Sequence, residues 1–374
     1  MNITKQYKLR NYDFALVFFA VTIAIYGIVI IGSARESVQS RQTLGLILGL
    51  VSMAGISLVD YRNVLNFYWF YYIASIFLLL LVQLFGVSRG GARRWVIVAG
   101  TQFQPSEFAK FLLILFFAKF IMKYNEKLNK VQVLLPLIAL FLLPWYLIYK
   151  EPDLSTSIVF LLIFLSMLFI GGLSWKIILG TLAITVPAAI IGLVLILQPN
   201  QEIIEDYQQM RILAWLQPDE YSNDAGYQQQ NSIVAIGSGQ LTGKGYMNNE
   251  VGSVKNGNFI AEPQTDFIFA IVGEELGFIG CMAIIILAGL IVIECLRIGW
   301  SSSELSGTLI CVGVAAHIGF QTFLNISVTT GIMPNTGIPL PFVSYGMTSL
   351  ISLFMELGMV LNVGLLRNRD SIRF

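Results

Sequence analysis

Ten apolar runs, each close to 20 residues long, decide what this chain can fold into. They lie at roughly 14–32, 43–59, 64–86, 105–122, 131–149, 154–172, 175–197, 266–296, 304–330 and 344–366. A helix crossing the ~30 Å hydrocarbon core of a bilayer needs about 20 such residues. Backbone exposed to lipid must satisfy its own hydrogen bonds, so spans of this kind are helices. The expected fold is an all-α polytopic membrane protein of ten transmembrane helices. Composition agrees: 56% of the 374 residues are hydrophobic and 12% charged, with mean hydropathy +0.73, whereas soluble domains carry about 25% charged residues. The whole chain, 1–374, reads as one transmembrane domain. Its only large polar segment, 198–265, falls between the seventh and eighth helices. A net charge of +1 supplies no basic field for nucleic acid.

Orientation follows from Lys and Arg, which favour cytoplasmic loops. With the N-terminus inside, inner segments hold twelve Lys and Arg against nine outside, and three of the nine lie in the long loop, where the rule counts little. Both termini are then expected in the cytoplasm and 198–265 outside. The first apolar run is too long for a cleaved signal peptide and lacks a small-residue cleavage site. Cys281, Cys295 and Cys311 sit in apolar stretches and read as buried packing residues. The single histidine, His317, has no metal-ligand spacing around it and reads as a hydrogen-bonded packing residue; no metal ligand set is called.

Asp266 marks the sharpest polarity change in the chain. It lies in Glu262-Pro263-Gln264-Thr265-Asp266-Phe267-Ile268-Phe269-Ala270, where the polar segment ends and the eighth apolar run begins. A carboxylate there can meet water and a membrane-borne substrate together. It can equally be a first-turn residue favoured by the helix dipole. Ser88-Arg89-Gly90-Gly91-Ala92-Arg93-Arg94-Trp95 runs against the charge rule; it reads as an interfacial anchor or as an anion site. Glu107 and Lys110, spaced i and i+3 inside the fourth span, form a structural ion pair or line a cavity. Asp153 looks like an N-cap of the sixth span. Glu274 and Glu275 fall about 12 Å along a helix from Asp266, and Glu294 and Glu356 are placed near cytoplasmic ends.

Two features of the long loop look like more than they are. Gly237-Ser238-Gly239-Gln240-Leu241-Thr242-Gly243-Lys244-Gly245 fails as a phosphate loop, because Ser238 and Gly245 occupy positions that need Gly and Ser or Thr; it reads as a flexible turn carrying one lysine. Met210-Arg211-Ile212-Leu213-Ala214-Trp215-Leu216 reads as a short amphipathic helix on the membrane surface. Asn325-Ile326-Ser327 matches a glycosylation triplet but lies within a span.

Several blocks together resemble a known family. Gly91-Ala92-Arg93-Arg94-Trp95, Gln104-Pro105-Ser106-Glu107-Phe108-Ala109-Lys110, Glu151-Pro152-Asp153-Leu154-Ser155-Thr156-Ser157, Gly226-Tyr227-Gln228, Thr265-Asp266-Phe267-Ile268-Phe269 with Gly273-Glu274-Glu275, and Gly337-Ile338-Pro339-Leu340-Pro341-Phe342-Val343-Ser344-Tyr345-Gly346 occur in the order found in the SEDS proteins (shape, elongation, division and sporulation), whose branches are RodA, FtsW and SpoVE. The Pro339-Leu340-Pro341-Phe342 wording leans toward the RodA branch, and Asn325–Gly331 toward the other two. Departures include Met347-Thr348 where a second glycine and a serine are usual.

The resemblance implies a peptidoglycan glycosyltransferase that polymerises lipid II at the outer face of the cytoplasmic membrane, partnered by a class B penicillin-binding protein. The family's essential aspartate falls on Asp266, its tryptophan-bearing outer loop on Trp95 and its intramembrane pair on Glu107 and Lys110. Asp266 is then expected to be the general base, with Arg93, Arg94, Lys110, Arg211 and Lys244 as the available cations and Trp95, Glu107, Asp153 and Ser344 also expected around the substrate. No cofactor is required, and a divalent cation could assist the leaving pyrophosphate. The rival expectations are a lipid II flippase and a non-catalytic scaffold for the penicillin-binding protein.

Overall fold

The computed structural model of the chain describes residues 11–366 apart from 90–91, 99–100, 152, 199–203, 205, 222–225, 248–251, 254–256 and 258; at a few other positions, Arg93 among them, it describes only the backbone. The helices are α1 (Phe14–Ala34), α2 (Glu36–Ser57), α3 (Tyr61–Val64), α4 (Tyr68–Phe85), α5 (Pro105–Tyr124), α6 (Val131–Lys150), α7 (Leu154–Ile170), α8 (Trp175–Ile196), α9 (Asp206–Leu216), α10 (Tyr227–Ser238), α11 (Ile268–Trp300), α12 (Leu305–Thr329) and α13 (Met347–Leu365). All ten expected runs are helical. Seven stretches are long and apolar enough to cross a membrane, with α3 and α4 acting as one from Tyr61 to Phe85. Of the other three, α7 is shorter, while α2 and α5 carry more polar sequence; α5 buries Ser106, Glu107 and Lys110, and α2 buries Gln42 but leaves Glu36 and Arg41 exposed.

The fold is almost wholly helical, with one addition to the expected architecture. Between α4 and α5 the chain forms three short antiparallel strands, β1 (Val87–Arg89), β2 (Ala92–Val98) and β3 (Thr101–Phe103), in the order β1-β2-β3. Pairing Ser88 with Arg93 and Ile97 with Gln102 fixes the register. Alternation through the bundle puts this sheet, the α6–α7 turn, the 198–265 segment and the α12–α13 connection at one face.

That face holds two places where backbone leaves helical geometry deep in the structure. Such backbone is tolerated in a membrane protein only where protein buries and satisfies it. The first is in α11. Gly277 (φ 64, ψ −159) breaks the helix, so a first segment ends just past Glu275 and a second runs on to Trp300. The turn after α10 fills the break. Phe278 and Ile279 donate their N–H groups to the carbonyls of Gln240 and Leu241 at 2.8 and 3.2 Å, and Lys244 and Gly245 donate theirs to the carbonyls of Glu274 and Glu275 at 2.9 and 3.0 Å. Side chains at Gly239 and Gly243 would collide with the carbonyls of Gly273 and Glu275. The glycine-rich turn expected to be flexible is therefore a packed plug, and its glycines serve close backbone approach.

The second is residues 331–346. Gln42 of α2 clamps it, donating to the Ser344 carbonyl at 3.1 Å and accepting from Gly346 N at 3.0 Å. Ser344 completes the turn: its hydroxyl donates to the Thr265 carbonyl and accepts from Leu340 N, at 2.6 and 2.7 Å. Tyr345 N donates to the Gln264 carbonyl at 2.8 Å. These bonds tie the segment directly to the residues before Asp266.

Candidate active site

The site forms around a residue with no side chain. Gly337 adopts φ +70, and a Cβ there would lie 3.2 Å from Asp266 Oδ2, 3.6 Å from Arg94 Nη1 and 3.9 Å from Arg211 Nη1. One carboxylate from the start of α11, one guanidinium from β2 and one from α9 thus converge on a single point. Each is held by backbone: Arg94 Nη1 donates to the Gly337 carbonyl at 3.4 Å, and Arg211 Nη1 to that of Asn335 at 3.5 Å. Arg94 also pairs with Asp153 Oδ1 at 3.6 Å. The same oxygen accepts from Thr156 N at 3.1 Å, so Asp153 caps α7 as expected and anchors Arg94 as well.

Asp266 is not a helix cap. The N-cap position of α11 is Phe267, which makes no side-chain cap. Asp266 is positioned through its own carbonyl, which accepts from Asn325 Nδ2 at 2.8 Å; the same amide donates to the Ile338 carbonyl at 2.7 Å. Burial pushes the Asp266 carboxyl above the usual range, Arg94 and Arg211 pull it down, and Asp153 and Glu262 add to the rise, with a net upward shift. A raised carboxyl remains able to ionise beside two cations and is a stronger base than a solvated aspartate.

Glu151, at the end of α6, is 1% exposed, and neither carboxyl oxygen has a hydrogen-bond partner among the described residues. Burial, then repulsion from Asp153, against a smaller pull from Arg94, pushes its pKa to about 9. Glu151 is therefore a neutral acid at pH 7 and leaves Arg94 to Asp153 and Asp266.

The other expected site residues fall elsewhere. Lys110 is fully buried, 2.6 Å from Glu107 Oε1 and 2.8 Å from Gln321 Oε1. Glu107 also accepts from Ser349 at 2.9 Å. This pair ties α5 to α12 and α13 beneath the site. Lys244 pairs with Glu274 at 3.1 Å, in the plug at the α11 break. Glu275 accepts from Ser33 of α1. Ser344 spends its hydroxyl on backbone. Trp95 is half-buried on β2, opposite Val87. The side chain of Arg93 lies outside the described residues. Glu356, expected near a cytoplasmic end, instead lies mid-helix on α13, buried against His317. α9 starts at Asp206 and docks on the molecule, with Trp215 Nε1 donating to the Gly331 carbonyl at 3.0 Å. Among the described residues no group of three or more His, Cys, Asp or Glu is placed to hold a metal ion. Sequence reasoning missed Gly337, Asn325 and Gln321.

This is a polytopic helical membrane protein with a mixed-charge site at one face of the bundle, built from loops and helix ends. The chain belongs to the FtsW/RodA/SpoVE family of cell cycle proteins, whose model matches residues 7–369. It is 32% identical over 354 residues to the peptidoglycan glycosyltransferase MrdB of Escherichia coli K12, covering 94% of this chain and 93% of that one. It is 33% identical over 373 residues to stage V sporulation protein E of Bacillus subtilis 168, covering 95% and 98%. These near-equal identities do not separate the branches. Among solved structures it resembles a chain from work on the coordination of polymerisation and crosslinking by a peptidoglycan synthase complex, with TM-score 0.78, 30% identity and coverage of 97% and 99%. It also resembles the rod shape determining protein RodA of Thermus thermophilus, with TM-score 0.69, 28% identity and coverage of 97% and 98%.

Proposed function

We propose that this chain is a peptidoglycan glycosyltransferase that polymerises lipid II at the outer face of the cytoplasmic membrane, with both termini inside and Asp266 as general base. The convergence of Asp266, Arg94 and Arg211 on Gly337 carries this reading. Asp266 takes the proton from the acceptor sugar's 4-hydroxyl. The freed oxygen forms a bond to the donor's anomeric carbon, and the bond from that carbon to the pyrophosphate oxygen breaks. The electron pair leaves with the undecaprenyl pyrophosphate, whose charge Arg94 and Arg211 receive. One base and no nucleophile make this a single displacement with inversion. The likeness to chains of a synthase complex supports a class B penicillin-binding protein as the crosslinking partner.

The test is purified Asp266→Asn fed lipid II. A neutral amide cannot take the proton, so polymer is expected to fall by about 10²–10⁴-fold, the usual worth of general base catalysis. Undiminished polymer refutes the assignment. The break in α11 supports the rival reading as a flippase, because transporters bind substrate at broken helices. Proteoliposomes that move lipid II across the bilayer without polymerising it would decide for that reading.

A further inference from the structure

The chain's single histidine takes no part in the chemistry above. His317 is fully buried on α12, among Gln321 of the same helix, Glu107 and Lys110 of α5, and Glu356 of α13, each at most 1% exposed. Donor and acceptor roles follow from the fixed points around it. Gln321 Nε2 donates to the Pro339 carbonyl at 3.1 Å. Its Oε1 accordingly faces Lys110 Nζ at 2.8 Å and His317 Nε2 at 2.9 Å. An amide oxygen only accepts, so His317 Nε2 carries a hydrogen. On the other side of the ring, Nδ1 lies 2.8 and 3.1 Å from Glu356 Oε2 and Oε1. A proton must sit between them, on imidazole or carboxyl, since lone pairs would otherwise face each other. The dyad is therefore neutral overall, as is the Glu107–Lys110 pair beside it.

Positions 317, 321 and 325 stand four apart, on one face of α12. Each makes a bond that bears on the site. Asn325 holds the carbonyls of Asp266 and Ile338. Gln321 holds that of Pro339. One helix face thus sets the backbone at Asp266 and just beyond Gly337, and His317 is its lowest member.

We propose that His317, clamped by Glu356, is a positioning residue: its Nε2–H locks the Gln321 amide, which holds Lys110 beneath the site and Pro339 two residues beyond Gly337. The functional part of this proposal rests on Asp266 being the base; the hydrogen placement does not.

Because His317 is the only histidine, labelling the full-length chain with ring-¹⁵N histidine in nanodiscs reports one imidazole. Nε2 is expected to carry a bonded hydrogen, seen as a one-bond N–H coupling, because it faces the Gln321 amide oxygen. Glu356→Gln should move the Nδ1 resonance and leave Nε2 protonated. An unprotonated Nε2 overturns the proposal.

The second arm measures polymer from lipid II. The double variant His317→Leu, Glu356→Leu should remain folded, because apolar replacement of a buried pair is often neutral or stabilising. It should lose on the order of 10-fold in kcat with KM within about twofold, because misplaced catalytic groups cost rate. Glu356→Gln, whose amide can donate to Nδ1, should rescue kcat. Gln321→Leu, which deletes the shared carbonyl by a separate route, should reproduce the loss and carries this arm if the double variant does not fold. Wild-type kcat in the double variant, or in Gln321→Leu, reduces the dyad to packing. If the wild-type chain forms no polymer, the polymerase reading falls, and the ¹⁵N spectra still decide where the hydrogens of His317 lie.

Discussion

Asp266 gains basicity from burial and loses part of it to two guanidiniums, so the pH at which it works depends on its neighbours. In its proposed role as base Asp266 acts when deprotonated, so polymerisation should fail as pH drops through its raised value. Arg94→Gln removes the largest downward pull and should move that acid limb to higher pH, whatever it also does to kcat; an unmoved limb in rate–pH profiles would separate Arg94 from Asp266. Glu151 supplies a stability counterpart. Its folded pKa, about 9, lies above the unfolded carboxyl value. Its stabilising contribution is therefore complete below the unfolded value and is lost as pH rises toward about 9. Glu151→Gln has no proton to lose, so its melting temperature should fall less between pH 5 and pH 8.5 than that of the wild type. Asp266, Arg94, Asp153 and Arg211 were legible in the sequence because charge at a polarity boundary is conspicuous. Gly337 was not, because its contribution is the space that lets three side chains meet. Gly337→Ala should disturb all three, with about 1–2 kcal/mol of backbone strain at positive φ and a kcat loss larger than that strain explains.

At the scale of elements, hydropathy located every long helix, since lipid-spanning length is written directly in composition. It could not show the break in α11. Gly277 sits in an apolar run that reads as continuous, and only a partner turn 35 residues earlier reveals that the helix stops there. That turn was read as loose because glycine signals both mobility and close approach, and sequence does not distinguish them. Burial does. The strands β1–β3 were missed for a related reason: their arginines and tryptophan were read for charge and anchoring, and their alternation is short. The plug predicts a contrast between two neighbouring glycines. A Cβ at Gly243 would strike the Glu275 carbonyl, at positive φ, whereas a Cβ at Gly237, on α10, meets nothing within 4 Å. Gly243→Ala should destabilise the protein, whereas Gly237→Ala, in the last turn of α10, should be neutral or stabilise by at most about 0.5–1 kcal/mol. Thermal melting in detergent compares the two directly, and equal melting temperatures would show that the plug does not hold the break.

Across the whole molecule, polar chemistry is stacked in two tiers along α12 and α13. The upper tier, around Gly337, has side chains from four separate segments: β2, the start of α7, α9 and the start of α11. The lower tier joins α5, α12 and α13 through Glu107, Lys110, Gln321, His317 and Glu356, with at most 1% exposure at any member. Ionisable groups so deep are expensive unless paired, and here each is paired. The lower tier thus behaves as a rigid base on which a site made of loops can be precise. Sequence placed the two tiers in one protein but could not stack them, because helix rotation and the i, i+4 face of α12 are set by packing. This division of labour makes a prediction for the assembled synthase. In the proposed function Asp266 serves polymerisation and the partner serves crosslinking, so Asp266→Asn in the complex should abolish new strands and leave the partner able to crosslink strands supplied ready-made. The variant should also bind the partner as the wild type does, because the substituted side chain lies among Arg94, Arg211 and Gly337 within this chain. Loss of both activities with intact binding would mean that the carboxylate acts on the partner's state as well as on the sugar, and loss of binding would mean that the site and the docking surface are one.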